Sequence, residues 1–527
     1  MEFLNLVMKK INFGVTFCEW IRMLHRGAKT KCILQWLTEP INVSFSIRQG
    51  DPLAMLLYII YIEPLLLYLE RVTVGLRVAG IPQSIEAYCD DVNILTDRLS
   101  DFLVVDLAVR KFEAVSGAIL SRAKKSKVIG FGSWKNKCDW PLEYLKTVKE
   151  IKVFGIFVMD SYRCLIKKNW DYRYEKFQDV VRSWTPRVLE TLVQRVEVLR
   201  MFALSRVVYV GSVLPIRGYM IKKFEKEMGR FIWNASGKVL RVSLDELRNP
   251  PERGGLAVPC ILSMSKSLLL SQLLRLLSSG DVKSVKHASY WLGDLLEDLG
   301  LGLNIGENAR DLPEYYNGIA DLLVEAIAAG WLSRSGCSAL TNKIIYGEHS
   351  KNFPVAKVER EAMVEYKNVW RRLGSPVLTA EARDTLFLLL HNKLPVRERL
   401  FRIGLAVDPY CDVCPGGVVC DIEHFFCSCS RVDFVWSWVR GRLLDLLGGS
   451  SHLSNWELIN LFLPSTRFEK EIVWVVGSYV AEVWSEMFSK RGNHLKADQF
   501  FGFLKFKYKA AQLGSRMPLR AIPGISV

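Results

Sequence analysis

The segment Ser84-Ile85-Glu86-Ala87-Tyr88-Cys89-Asp90-Asp91-Val92-Asn93-Ile94-Leu95 sets two adjacent carboxylates between two short stretches that can each extend as a strand. It reads as a β-hairpin with the acids at its tip. A tip holds carboxylates clear of the apolar face, where hard divalent cations take oxygen ligands. Such a pair, joined by a third acid, clamps two Mg²⁺ ions around an in-line phosphoryl displacement. An adjacent Asp pair alone is weak evidence, because most are helix caps or solvated turns. Two features raise this one. An aromatic, Tyr88, precedes it. Upstream, Arg48-Gln49-Gly50-Asp51-Pro52 leads into a long apolar helix, Leu53 to Leu69.

Together these segments resemble the palm of reverse transcriptases, specifically those of non-LTR (LINE-type) retrotransposons. The resemblance implies an RNA-directed DNA polymerase, a nucleotidyltransferase. Such an enzyme adds deoxynucleoside triphosphates to the 3′-OH of a DNA primer or nicked target on an RNA template. It implies Asp90 and Asp91 as catalytic acids holding Mg²⁺. Arg48, Gln49 and Gly50 fall where the family shapes its nucleotide and template pocket, and Tyr88 and Cys89 where it meets the primer end. Leu120-Ser121-Arg122-Ala123-Lys124-Lys125-Ser126-Lys127 is similar to the family's lysine-bearing turn. Lys125 is its closest match, with Lys124 left open. The family usually has Asn where Ser121 stands. Ile151-Lys152-Val153-Phe154-Gly155-Ile156 looks like the strand-turn that grips the primer.

A chain of 527 residues is too long for one core, and two to four domains are expected. Half the residues are apolar, which argues against disorder. Lys and Arg number 71 against 55 acids, a formal charge of +16. By itself that fits either a generic basic surface or a polyanion partner; beside the palm motifs, nucleic acid is favoured. The N-terminus lacks the basic-then-apolar order of a secretory signal. The apolar run near Leu56 is interrupted by Glu63-Pro64 and is too short to span a bilayer. The expectation is a protein of the nucleus or cytoplasm with reduced thiols and no membrane partner.

Five of the twelve cysteines fall between Cys411 and Cys429. Cys411-x-x-Cys414, then His424, then Cys429, has the number and type of ligands of a closed structural Zn²⁺ site. The two-residue gap lets both thiolates of one turn face one ion. The alternative is free core cysteines beside a surface histidine, which is the weaker reading for four ligands in one short window. Cys427, three residues after His424, stays open as the fourth ligand in place of Cys429. The family's C-terminal zinc knuckle has its last Cys five residues after its His, which favours Cys429. In the family this knuckle sits near the template RNA and the priming site.

The fold class read from these patterns is α+β: a partial palm, an antiparallel sheet with helices, followed by a mostly helical remainder. The divisions are a partial palm over 1–160, a helical thumb over 161–260, a helical linker region over 261–400, the zinc knuckle over 401–440 and a helical tail over 441–527. Helices are expected over Glu2–Leu24 with a break at Gly14, and over Asp101–Gly117. Glu252-Arg253-Gly254-Gly255-Leu256 is similar to a family turn and is read as a packing element. The family's first palm acid lies on a strand before the helix that here opens at Glu2. The expectation is therefore a reading frame that opens just inside the palm and lacks activity as it stands. Asp51 and Asp97 are not read as substitutes. The alternative reading is a non-catalytic nucleic-acid-binding remnant or a pseudogene product.

Overall fold

The computed structural model describes residues 2–522 except 28, 32–36, 43–50, 79, 123–125, 185–188, 234–241, 303–310, 333–340, 352, 363–365, 449–451, 490–496, 515–518 and 521. The chain is mostly helical, with small sheets. It divides into two compact units, residues 1–171 with 273–338, and residues 172–272 with 339–527. Among the described residues no helix is long and apolar enough to cross a membrane.

In the first unit, apolar residues spaced three and four apart fold α1 (Glu2–Lys10) and α2 (Val15–His25) onto α3 (Ala54–Val72). The break between α1 and α2 contains Gly14, as the sequence predicts. Leu4 and Met8 of α1, Cys18 and Ile21 of α2 and Leu57 of α3 form one buried cluster. Asp51 starts α3: its carboxylate accepts the Leu53 N–H at 2.9 Å and its carbonyl accepts the Ala54 N–H at 3.0 Å. The helix continues through Pro64, which lacks the N–H that would bond back to Ile60. Further along, α3 meets α4 (Leu99–Ser116), burying Ile62, Leu65 and Leu69 against Ala108 and Phe112. Gly117, in the left-handed region at φ 75°, ends α4 by donating to the Glu113 carbonyl.

The described strands are two to four residues long and pair two by two rather than in one wide sheet. They are β1 (Lys29–Thr30) with β2 (Ile41–Asn42), β3 (Leu76–Val78) with β4 (Ile81–Gln83), and β5 (Ile85–Tyr88) with β6 (Asp91–Ile94). The last two pairs are β7 (Lys127–Val128) with β8 (Lys146–Thr147), and β9 (Glu150–Val153) with β10 (Ile156–Met159). All are antiparallel except β7–β8, which is parallel. A hairpin of this length is marginal alone and needs a helix to pack on. β5–β6 has one: Ile85, Val92 and Ile94 lie against the α3–α4 cluster. Asp106 of α4 ties down the chain that follows, accepting from Arg110 at 2.6 Å, Tyr144 at 2.8 Å and Arg122 at 3.4 Å.

The second unit is helical. Helices Ala380–Leu390 and Glu469–Ser489 pack face to face: a Cβ on Gly477 would lie 3.4 Å from Leu386 Cδ1 and 3.6 Å from Ala382 Cβ, and would overlap Leu378, just before the first helix, at 2.2 Å. Buried Arg372 ties this core to its neighbours, donating to the Leu461 carbonyl at 2.9 Å and to Glu469 at 3.0 Å. The Gly254-Gly255 turn is a packing device. A Cβ on Gly254 would lie 2.7 Å from the Trp370 ring, and one on Gly255 would overlap the Asn249 carbonyl. Gly254 is also at φ 76°, where only glycine is unstrained.

Candidate functional site

Two constellations emerge, one in each unit. In the first, Tyr88 pairs with Asp91 across the hairpin, and Cys89 and Asp90 form the two-residue turn. Cys89 has φ 54° while Asp90 is not in the positive region. Positive φ at the first central residue alone is the pattern of a type II′ turn, which favours glycine there. A cysteine in that place is a strained choice. Asp90 and Asp91 are both exposed, so the tip presents two carboxylates to solvent. Burial first, and then the charge of Asp90, raises the Tyr58 phenol above its ordinary value; α3 therefore runs within electrostatic reach of the tip.

A second tip adjoins it. The turn Phe154-Gly155 between β9 and β10 has φ 47° and 83°, both left-handed. The Phe154 ring meets Tyr88 edge to face with centroids 6.2 Å apart. Carboxylate oxygens are the ligand type that hard divalent cations take. Among the described residues, no third Asp, Glu, His or Cys joins Asp90 and Asp91 in a group close enough to hold one ion. Arg48, Gln49, Gly50 and Lys125 lie outside the described residues, as does Lys124.

The second constellation is metal-like. Ligand atoms of Cys411, Cys414, His424 and Cys429 all lie within 4.8 Å of one another. Cys427 is not in the group. Cys429 Sγ is 3.9 Å from both Cys411 Sγ and Cys414 Sγ. Two thiolates each about 2.3 Å from one tetrahedral Zn²⁺ would be about 3.8 Å apart, so this spacing suits the ion. His424 Nε2 is buried with no hydrogen-bond partner, a cost that a metal bond would remove.

Local structure explains the spacing. Tyr410 bridges to Val419 and the Cys411 N–H bonds to the Val418 carbonyl at 2.8 Å, closing the knuckle around Gly416 and Gly417, both at positive φ. Asp421 Oδ1 accepts the His424 N–H at 2.7 Å at the start of the next helical turn. His424–Ser428 is a π turn, and the Cys429 N–H reaches back five residues to the His424 carbonyl at 2.8 Å. In an α-helix residues five apart point to different sides; the wider π turn brings His424 and Cys429 to one side. Cys427, three residues on, is buried outside the group, and burial pushes its thiol well up.

The crowding of three thiols would be eased by a cation. Burial first, and then the neighbouring Cys411 and Cys414, push the Cys429 thiol up to about 12. Three clustered thiols would not ionise together without a positive ion. The Ser430 N–H, 3.4 Å from Cys414 Sγ, holds that thiol below its ordinary value. Outer contacts anchor the knuckle: Arg397 bonds to Asp412 and, at 3.3 Å, to Asp408, and the Glu398 N–H donates to the Cys420 carbonyl at 3.1 Å. Sequence reasoning missed Asp421, for which the available signal is an acid three residues before His424. Arg397 lies in Leu394-Pro395-Val396-Arg397-Glu398-Arg399, which resembles the approach to the family's knuckle, whereas Ser430 has no such signal.

Three thiols and an imidazole gathered this closely have the donor set of a zinc knuckle. Residues 351–436, which contain all four ligands, match a family model described as zinc-binding in reverse transcriptase. The chain is also similar to the "Transposon TX1 uncharacterized 149 kDa protein" of Xenopus laevis, 25% identical over 285 residues. That match covers 52% of this chain and 21% of the relative, so the chain spans about a fifth of that protein. Together the two findings support a non-LTR retrotransposon reverse transcriptase-like protein with a C-terminal zinc-binding region.

Proposed function

We propose that the chain is palm and knuckle of an RNA-directed DNA polymerase that copies an RNA template onto a DNA primer or nicked target. The observation that carries this reading is the β5–β6 hairpin. It displays Asp90 and Asp91 on an exposed tip while Ile85, Val92 and Ile94 anchor it to α3 and α4. In this reading the two acids hold Mg²⁺ against the phosphates of the incoming deoxynucleotide. Tyr88 and Cys89 meet the primer end, and Arg48, Gln49, Gly50 and Lys125 contact nucleotide and template. The Cys411, Cys414, His424 and Cys429 cage holds structural Zn²⁺; all four positions are filled by protein, so the ion does no chemistry.

Two-metal transfer needs a further carboxylate, and none joins the pair among the described residues. The 527 residues by themselves are therefore expected to bind template–primer and Mn²⁺ but to extend the primer weakly. The same observation favours a second reading, a non-catalytic nucleic-acid binder. Primer extension with Mg²⁺ and Mn²⁺ titration of the full chain separate the two. Mn²⁺ binding lost in Asp90→Asn supports the polymerase reading. Retained template–primer binding with no Mn²⁺ response at the tip leaves the binder. Robust extension abolished by Asp90→Ala would overturn the expectation of weak activity.

A further inference from the structure

The β9–β10 tip that meets Tyr88 is held from behind by one side chain. Asn169, in α5 (Tyr162–Ser183), is 1% exposed. Its Oδ1 accepts the Phe157 N–H at 2.9 Å, and its Nδ2 donates to the Phe157 carbonyl at 2.7 Å. The second Nδ2 hydrogen reaches the Leu165 carbonyl at 2.9 Å. An amide that donates to and accepts from one residue of a strand imitates a neighbouring strand's backbone. β10 pairs only with β9 among the described residues, so its other edge would be open to water. Asn169 closes that edge at Phe157, opposite Lys152 of β9 and three residues from the Phe154 turn.

The turn itself is under strain. Phe154 at φ 47° is in a region that non-glycine residues rarely adopt, and a two-stranded hairpin has little stability of its own. The strain persists only if the flanking strands are fixed. Asn169 fixes one of them, and the Phe154 ring delivers the result to Tyr88, the residue before the acid-bearing turn. We propose that Asn169 is a positioning residue, which sets the Phe154 tip against Tyr88 so that the two tips form one rest for the end of a nucleic-acid strand. The proposal rests on the polymerase reading of the β5–β6 hairpin for its ligand, but not for its geometry.

The test uses the full chain and Asn169→Asp, which keeps the acceptor and the shape but loses both donated bonds. Hydrogen exchange is read by mass spectrometry. Amides of residues 153–158 are expected to exchange at least tenfold faster, with those of α3 and α4 unchanged. A DNA primer with 2-aminopurine at its 3′ end, annealed to an RNA template, reports the strand end. Its fluorescence change on binding is expected to fall by at least half in Asn169→Asp, while overall affinity by anisotropy moves less than twofold. Asn169→Gln serves if the aspartate variant fails to fold. Unchanged exchange at 153–158 would overturn the clamp. Faster exchange with an undiminished probe response would overturn the positioning role. If the wild-type chain gives no probe response to a bound primer, the polymerase reading fails. The geometric claim is then decided by whether Tyr88→Ala and Phe154→Ala are coupled in the wild type and uncoupled in Asn169→Asp.

Discussion

At the scale of single residues, the chemistry turns on groups whose surroundings leave one option. His391 is one. It is 1% exposed, stacked on Trp370 at 5.2 Å between centroids, with Nε2 2.8 Å from the Gly254 carbonyl. A carbonyl only accepts, so Nε2 carries the hydrogen and the buried, unpartnered Nδ1 is bare. Protonating Nδ1 would place a charge and an unmet donor between aromatic rings. Burial accordingly pushes the His391 pKa down to about 4, against the opposing pull of the Gly254 carbonyl and Glu246. Burial would raise Glu246, but the bonds it accepts from the Lys357 N–H and from the Ser243 hydroxyl and N–H together hold it below its ordinary value. Between about 6.5 and 4 the unfolded chain takes up a proton that the folded one refuses, so stability falls as pH drops through that window. Exchange protection of helix Ala380–Leu390 should decline from pH 7 to 4.5. His391→Gln retains a donor for Gly254 and should flatten that decline. An equal decline in the variant would mean that other groups govern it.

At the scale of elements, the proposed zinc site makes the knuckle's order depend on a metal. Residues 405–420 include much irregular chain and several exposed apolar side chains, among them Leu405, Val407 and Tyr410. Such a loop buries little core of its own, and zinc binding becomes part of its folding. Elemental analysis should find one zinc per chain. Chelation, or Cys411→Ser or Cys414→Ser, should raise exchange over residues 405–440, whereas Cys420→Ser should do little; no zinc would refute the site. The ligand set was legible because Cys-x-x-Cys and a nearby His are local spacing. Cys429 over Cys427 came only from the family resemblance, since an α-helical turn gives no preference for a residue five on; the π turn at His424–Ser428 supplies the physical reason. Likewise the helices Ala54–Val72 and Leu99–Ser116 and the β5–β6 hairpin follow from periodicity and turn chemistry. The contact of Phe154 with Tyr88 and the clamp by Asn169 join residues far apart in sequence, and no local pattern announces them.

At the scale of the whole molecule, the excess of 71 basic over 55 acidic side chains is the property that a nucleic-acid partner would read first. If binding is driven by release of counterions from phosphates, log affinity must fall linearly with log salt. The slope is about 0.7 per phosphate neutralised on a single strand and about 0.9 on a duplex. A chain that follows several phosphates should therefore lose on the order of tenfold or more in affinity between 50 and 200 mM salt. Because phosphate contacts do not read bases, the slope should be nearly the same for different template sequences. Removing one tip carboxylate in Asp90→Asn should leave the slope close to unchanged, since in the proposed reading that group would hold a cation rather than a phosphate directly. Fluorescence anisotropy of a labelled RNA–DNA template–primer across a salt series measures all three. A slope shallower than about 2, which is two to three phosphates by the same relation, would mean that the net charge is a generic basic surface and that binding rests on other contacts.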